Sequence, residues 1–251
     1  MFVRDPQELT VVRDLAELGL GPSAIAGETG IPRSTVRMWL RGEIARRPSH
    51  PDHAAIDPSR LPAEYPYLLG MYLGDGHISP GRRDVYRLRL FLDSRYPAII
   101  EEAKAAIQAC APQNKVSEIR RRSNFTDRPD PTTVTVYAYS KSWPRLFPQH
   151  GPGKKHERVI ELAPWQQELA DGDPRGLLRG LIHSDGCRAI NTGTNWRHPR
   201  YSFSNQSADI RGIFESACTA LAIHFTRAKH VVYVSRMADV ATLDSFVGPK
   251  G

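Results

Sequence analysis

Apolar and polar positions follow different rhythms along this chain, and each change of rhythm marks a boundary. Over LTVVRDLAEL, residues Leu9, Val12, Leu15 and Leu18 recur at helical spacing, which predicts an amphipathic helix with all four on one face. The next stretch, IAGETGIPRSTVRMWLRGE, predicts two short helices about a turn. Ala26 is small where they would cross, Gly30 can adopt the left-handed turn conformation, and Pro32 suits the entry of a helix. Ile31, Val36 and Leu40 are the expected anchors. From 46 to 61 neither the 3.6 nor the 2.0 period survives and prolines accumulate, so this stretch reads as a linker.

Beyond the linker one order of patterns occurs twice. An apolar helix closing in Asp-Gly, YPYLLGMYLGDGHIS, leads to the alternating YRLRLFLD, a helical RYPAIIEEAKAAIQA, two strand-like runs KVSEIRRRS and TTVTVYAY, and WPRLF. The second copy runs PRGLLRGLIHSDGCR, RYSFSN, SADIRGIFESACTALAI, HFTRAKHVVYVS and VATLDSF. Each copy predicts helix, strand, strand, helix, strand, strand, helix. The expected organisation is a helical head at 1–45, a linker at 46–61, and repeats at 62–160 and 161–251.

Composition narrows the class. The chain has 251 residues, and its 34 basic against 27 acidic side chains leave a net charge of +7, which favours a polyanionic partner. The 3 cysteines are odd in number and far apart, which indicates neither a disulfide framework nor a zinc site. No run approaches the roughly 18 apolar residues of a membrane helix, and MFVRDPQE lacks a signal-peptide core. A cytoplasmic, nucleoid-associated protein off the membrane is expected.

Candidate chemistry lies in the Asp-Gly helices. Gly70 and Gly74 are four apart, as are Gly180 and Ser184, so each helix carries a strip nearly free of side chains. Glycine within a helix costs about 1 kcal/mol relative to alanine, a loss that close helix packing offsets. If the two helices pack together, Asp75 and Asp185 emerge at the same end. The helix dipole is negative there and disfavours a carboxylate, whereas a cation reverses the sign. Two such carboxylates suit a hard ion such as Mg²⁺ and metal-assisted phosphodiester hydrolysis.

LLGMYLGDG and LRGLIHSDG resemble the paired motifs of single-chain LAGLIDADG homing endonucleases, and the resemblance runs from about Leu61 to the C-terminus. It implies an α+β fold, a pseudo-twofold duplicated αββαββα domain with two saddle-shaped antiparallel sheets, here preceded by a small all-helical helix-turn-helix domain. The implied metal site comprises Asp75 and Asp185 with Gly74 and Ser184, while Leu73 and His183 stand where the pattern has an earlier aspartate. The family also places a lysine after the last helix of each half. HGPGKKH offers Lys154 or Lys155 and FVGPKG offers Lys250, to steady phosphate charge or tune a water. Asp93, Asn205 and Gln206, at strand ends, are candidates to order water near the metals.

The partner so implied is double-stranded DNA, bound by a monomer with internal pseudo-twofold symmetry. In the head, Arg33, Ser34, Thr35, Arg37 and Arg41 are expected to face the major groove. In YRLRLFLD, Arg87 and Arg89 point outward against inward Leu88 and Leu90. Arg120, Arg121, Arg122 and Arg128 follow around a long hairpin, and the second copy offers Arg197, Arg200, Arg227, Lys229 and Arg236. The alternative is a DNA-binding transcription regulator on an inactive scaffold, as in a sporulation-regulator family with the same two ingredients in the opposite order.

Overall fold

The computed structural model describes residues 6–41, 58–122, 132–193, 195 and 197–248. Lys250, Arg128 and most of the expected linker lie outside the described residues. The chain divides into two compact units, 1–52 and 53–251.

The first unit holds α1 (Pro6–Glu17), α2 (Pro22–Thr29) and α3 (Arg33–Leu40) around buried Val12, Ile25, Ile31 and Val36. Gly30 takes φ 68° and donates its N–H to the Ala26 carbonyl, closing α2 as its sequence predicts. One residue of the expected apolar face and one expected anchor fail. Leu18 is 76% exposed and Leu40 37% exposed. α1 ends at Glu17, where Gly19 turns left-handed at φ 86° and Leu20 N–H reaches back 3.1 Å to the Leu15 carbonyl. That closure carries Leu20 onto the core in place of Leu18, and Trp39 packs there instead of Leu40.

The second unit runs α4 (Tyr65–Asp75), β1 (Gly76–Pro80), β2 (Tyr86–Asp93), α5 (Pro97–Cys110), β3 (Val116–Arg121), β4 (Thr133–Ser140) and α6 (Trp143–Leu146). After α7 (Pro164–Gly172) the order recurs as α8 (Pro174–Asp185), β5 (Gly186–Thr192), β6 (Arg197–Ser204), α9 (Ala208–Ala220), β7 (Thr226–Arg227), β8 (Val231–Val234) and α10 (Met237–Val247). Both sheets are antiparallel and share one topology, β1-β2-β4-β3 and β5-β6-β8-β7. The fold is therefore the duplicated αββαββα arrangement, with α7 added between its halves.

Alternation fixes which sheet face is covered. Leu88, Leu90, Val134, Val136 and Ala138 of the first sheet, and Tyr201, Phe203, Val232 and Val234 of the second, are buried in one core with α5 and α9. α4 is buried along Tyr65–Leu73, which explains a sequence apolar on every side. Proline at the first turn of α5, α7 and α8 starts each helix where no intrahelical N–H is needed. α7 is held by Gln166, whose side-chain amide donates to the Tyr65 hydroxyl at 2.8 Å. Among the described residues no helix is long and apolar enough to cross a membrane.

Candidate active site and nucleic-acid interface

α4 and α8 meet along the strip that the sequence leaves bare. A Cβ on Gly70 would stand 2.5 Å from the Leu177 carbonyl oxygen, and one on Gly180 2.1 Å from that of Tyr67, so only glycine lets these backbones touch. Ser184 fits the same seam by turning its hydroxyl back onto the Gly180 and Leu181 carbonyls, 3.0 Å from each. One turn further on, a Cβ on Gly74 would lie 3.0 Å from Asp185 Oδ2. The crossing thus brings the Asp185 carboxylate to the end of α4, which closes with Asp75.

The segment between α6 and α7 returns to this end. Lys155 Nζ donates to the carbonyls of Tyr72, Leu73 (2.9 Å) and Gly74 (3.0 Å), and lies 4.8 Å from the Tyr72 ring centroid. It caps the negative pole of α4. Burial holds its pKa down to about 8, against the attraction of Asp185 and Asp75. One ammonium therefore feels both carboxylates. Of the two candidate lysines only Lys155 is so placed; Lys154 is 70% exposed, 3.4 Å from Glu157.

A cleft of about 460 Å³ opens here, lined among others by His77, Lys155, Arg158, Asp185, Asn205 and Gln206. Asn205 Nδ2 donates to Asp185 Oδ2 at 2.6 Å. Its own oxygen accepts from Ser207 N–H at 2.8 Å and its N–H donates to the His230 carbonyl at 3.0 Å, so the amide is held firmly. Asp93 is used elsewhere: it receives the Arg95 N–H and guanidinium in the turn before α5. His77 and Arg158 were not legible as site residues, since neither belongs to a motif. Burial and then the charges of Arg89, Lys155 and Arg158 pull the His77 pKa below its usual value, a sign of the positive field here.

His183, the residue replacing an earlier aspartate, is structural. Its Nε2–H donates to the Val247 carbonyl at 2.8 Å, and its Nδ1 bonds the Tyr67 hydroxyl at 3.1 Å. It joins α8 to α4 and α10. Among the described residues no three His, Cys, Asp or Glu side chains gather as a metal cluster.

The outer face of the first sheet carries Arg87 and Arg89, with Tyr139 and Tyr137 as their partners on β4 and His77 opposite Arg89 on β1. Arg121 shares this phase and Arg122, just beyond β3, is exposed. Arg120 differs from expectation: it pairs with buried Val134, on the helix side, and donates to Glu118 at 2.9 Å, beside Lys104 of α5. Arg227 likewise pairs with buried Val232 and grips Glu215 of α9 at 2.8 Å through two bonds. Arg197 is exposed but in phase with the buried Tyr201 and Phe203; Lys229 is exposed in the β7–β8 turn. On the second sheet the arginine in the outward phase is Arg200, 4.3 Å from the Tyr233 centroid. In the head, Arg33, Ser34, Arg37 and Arg41 are exposed and Thr35 is half-buried.

No protein-family model matches the chain. No curated protein matches it in sequence. Among solved structures it is similar to the N-terminal LAGLIDADG domain of DUF199/WhiA, with TM-score 0.46 and 14% identity over 75% of this chain and 82% of that one. It is also similar to full-length DUF199/WhiA from Thermatoga maritima, with TM-score 0.44 and 14% identity over 77% of this chain and 59% of that one. A third is the homing endonuclease I-WcaI bound to its DNA recognition sequence, with TM-score 0.46 and 11% identity over 74% of this chain and 81% of that one.

Proposed function

We propose that this chain binds double-stranded DNA and cuts it by divalent-metal-assisted phosphodiester hydrolysis, acting as one chain with two pseudo-equivalent halves. The proposal rests on the convergence of Asp75 and Asp185 on Lys155 at the paired ends of α4 and α8. The motif resemblance to LAGLIDADG homing endonucleases and the net charge of +7 support it.

The donor set fits Mg²⁺, which is commonly held by one or two carboxylates with water and substrate phosphate completing the shell. When bound, such an ion supplies Lewis acidity and an activated water. The chain's own residues do the rest. Asp75 and Asp185 hold the charge, Asn205 fixes the direction of Asp185, and Lys155 sets an ammonium beside the phosphate. Outward arginines bind the duplex, and Arg33, Ser34, Thr35 and Arg37 of α3, with Arg41 just beyond it, add contacts from the head.

A regulator that binds without cutting has one observation in its favour. Asp185 Oδ2, an oxygen that the metal reading would use, accepts from Asn205 Nδ2 at 2.6 Å. The deciding experiment incubates the full chain with a randomised duplex library, with and without Mg²⁺, beside an Asp75→Asn, Asp185→Asn double variant. Metal-dependent cuts lost in the variant establish the nuclease. Retention of duplex with no cuts establishes the regulator, and no retention at moderate salt removes both.

A further inference from the structure

The two sheets carry the same arginine–tyrosine pair at the same place. β1 pairs Gly76 with Leu90 and β5 pairs Gly186 with Phe203, so Arg87 and Arg200, each three residues earlier, occupy matching positions. On the neighbouring strands Val136 faces Leu90 and Val232 faces Phe203, which makes Tyr137 and Tyr233 match as well. Arg87 Cζ lies 4.1 Å from the Tyr137 centroid, and Arg200 Cζ lies 4.3 Å from that of Tyr233. Each arginine leans diagonally onto a tyrosine two rows along.

Arg89 belongs to the first sheet alone. Its Cζ is 5.6 Å from the Phe91 centroid, whereas Ser202 and Ser204 take the matching places in the second. The Nε atoms of Arg87 and Arg89 are shielded from solvent and have no hydrogen-bond partner among the described residues. Three other sheet arginines are committed: Arg120, Arg188 and Arg227 donate to Glu118, Asp244 and Glu215 at 2.9, 2.7 and 2.8 Å. Stacking on a ring holds the planar guanidinium in one orientation and leaves its donor edge open.

We infer that Arg87 and Arg200 read the same guanine position in the two half-sites of a duplex, and that Arg89 reads a further guanine in the first half-site only. This deepens, and rests on, the DNA-binding function proposed above. A rigid fork on the floor of a sheet suits the paired acceptors O6 and N7 of guanine, for which a lysine ammonium is a poor substitute. Outward residues two apart on a strand are separated by about 6.8 Å, close to two base-pair steps of about 3.4 Å each. Arg89 lies opposite His77, which lines the cleft, so its guanine falls on the central side of the one Arg87 reads.

The test selects sites for the full chain from a randomised duplex library in EDTA, in parallel with Arg87→Lys, Arg89→Lys and Arg200→Lys, each checked for an unchanged melting temperature. The wild type is expected to enrich guanines at two pseudo-twofold-related positions on opposite strands, with a third about two base pairs inward on one side. Each lysine variant is expected to lose selectivity at its own position by about tenfold, a larger change than any it makes in affinity for random duplex. Wild-type sites lacking the symmetric guanines overturn the assignment, as does uniform weakening of every sequence, the mark of phosphate contact, or no change in any variant. A wild type that retains no duplex removes the DNA-binding function itself and this assignment with it.

Discussion

Gly70 and Gly180 share one contact from opposite sides: a Cβ on Gly180 would stand 3.0 Å from Gly70 Cα and 2.1 Å from the Tyr67 carbonyl oxygen. Neither obstacle is a flexible side-chain end, so α4 and α8 must separate to admit a methyl group. Gly180→Ala is expected to lower stability by about 3 kcal/mol. Gly212→Ala, within α9 with open space around the added carbon, is expected to raise it by up to ~1 kcal/mol. Urea denaturation of both variants checks the pair, and a Gly180→Ala protein as stable as wild type would refute the crossing.

Lys155 contributes through the carbonyls it gathers at the end of α4. Lys155→Met leaves the Tyr72, Leu73 and Gly74 oxygens without this donor and is expected to cost about 1–3 kcal/mol. Lys154→Met, at an exposed side chain, is expected to stay within about 0.5 kcal/mol of wild type. Equal losses in the two variants, measured by chemical denaturation, would contradict the cap.

The sequence carried the repeat clearly because its signals are local. YRLRLFLD alternates and becomes β2 over Tyr86–Asp93, and the spacing of Gly70, Gly74, Gly180 and Ser184 announces the seam between α4 and α8. What it hid depends on register or on contacts between distant segments. β7 is two residues long, too short to show a period, so the phase of Arg227 emerges only from its pairing with Val232. Arg120 sits in a run of arginines whose alternation is invisible until β3 is set against β4. Lys155 and His77 meet in the cleft although His77 lies on a strand leaving α4 and Lys155 on a segment returning to it, a closure no motif records. Leu18, expected on an apolar face, and Leu40, expected as an anchor, stay exposed because a helix end, set by Gly19 and by Arg41, falls beside each.

Asp244 predicts an acid-dependent loss of stability. Its carboxylate accepts from Arg188 at 2.7 and 2.8 Å and from the Tyr201 hydroxyl at 2.7 Å, and the Arg188 bonds foremost hold its pKa below the ordinary value. A carboxyl with a depressed folded pKa contributes stability that is present above the unfolded value of about 3.9 and is lost as pH falls through the folded one. The side chains of Arg188 and Asp244 are 32% and 36% exposed, so solvent screening limits the contribution to about 1 kcal/mol. Asp244→Asn is therefore expected to cost about that much at neutral pH, with the difference from wild type shrinking as pH drops below about 4. A difference in urea stability that stays constant from neutral pH into acid would show that charge is not responsible.

Asn205 makes the two acidic centres unequal. It lies two residues beyond Phe203, the partner of Gly186, and the matching place beyond Leu90, the partner of Gly76, is the buried Leu92. Leu92 has no amide to offer Asp75, whereas Asn205 holds Asp185 Oδ2 at 2.6 Å. Copying the first half into the second with Asn205→Leu should therefore loosen the Asp185 carboxylate and release the Ser207 N–H, while leaving Asp75 as it is. If the chain cuts as proposed, cleavage of one strand is expected to slow by about ten- to a hundredfold, and nicked duplex should accumulate. Binding of uncut duplex in EDTA should not change, which separates the effect from a loss of fold or of DNA contact. Denaturing gels with each strand labelled at its own end read the two rates, and equal slowing of both strands would show that Asn205 does not act through Asp185.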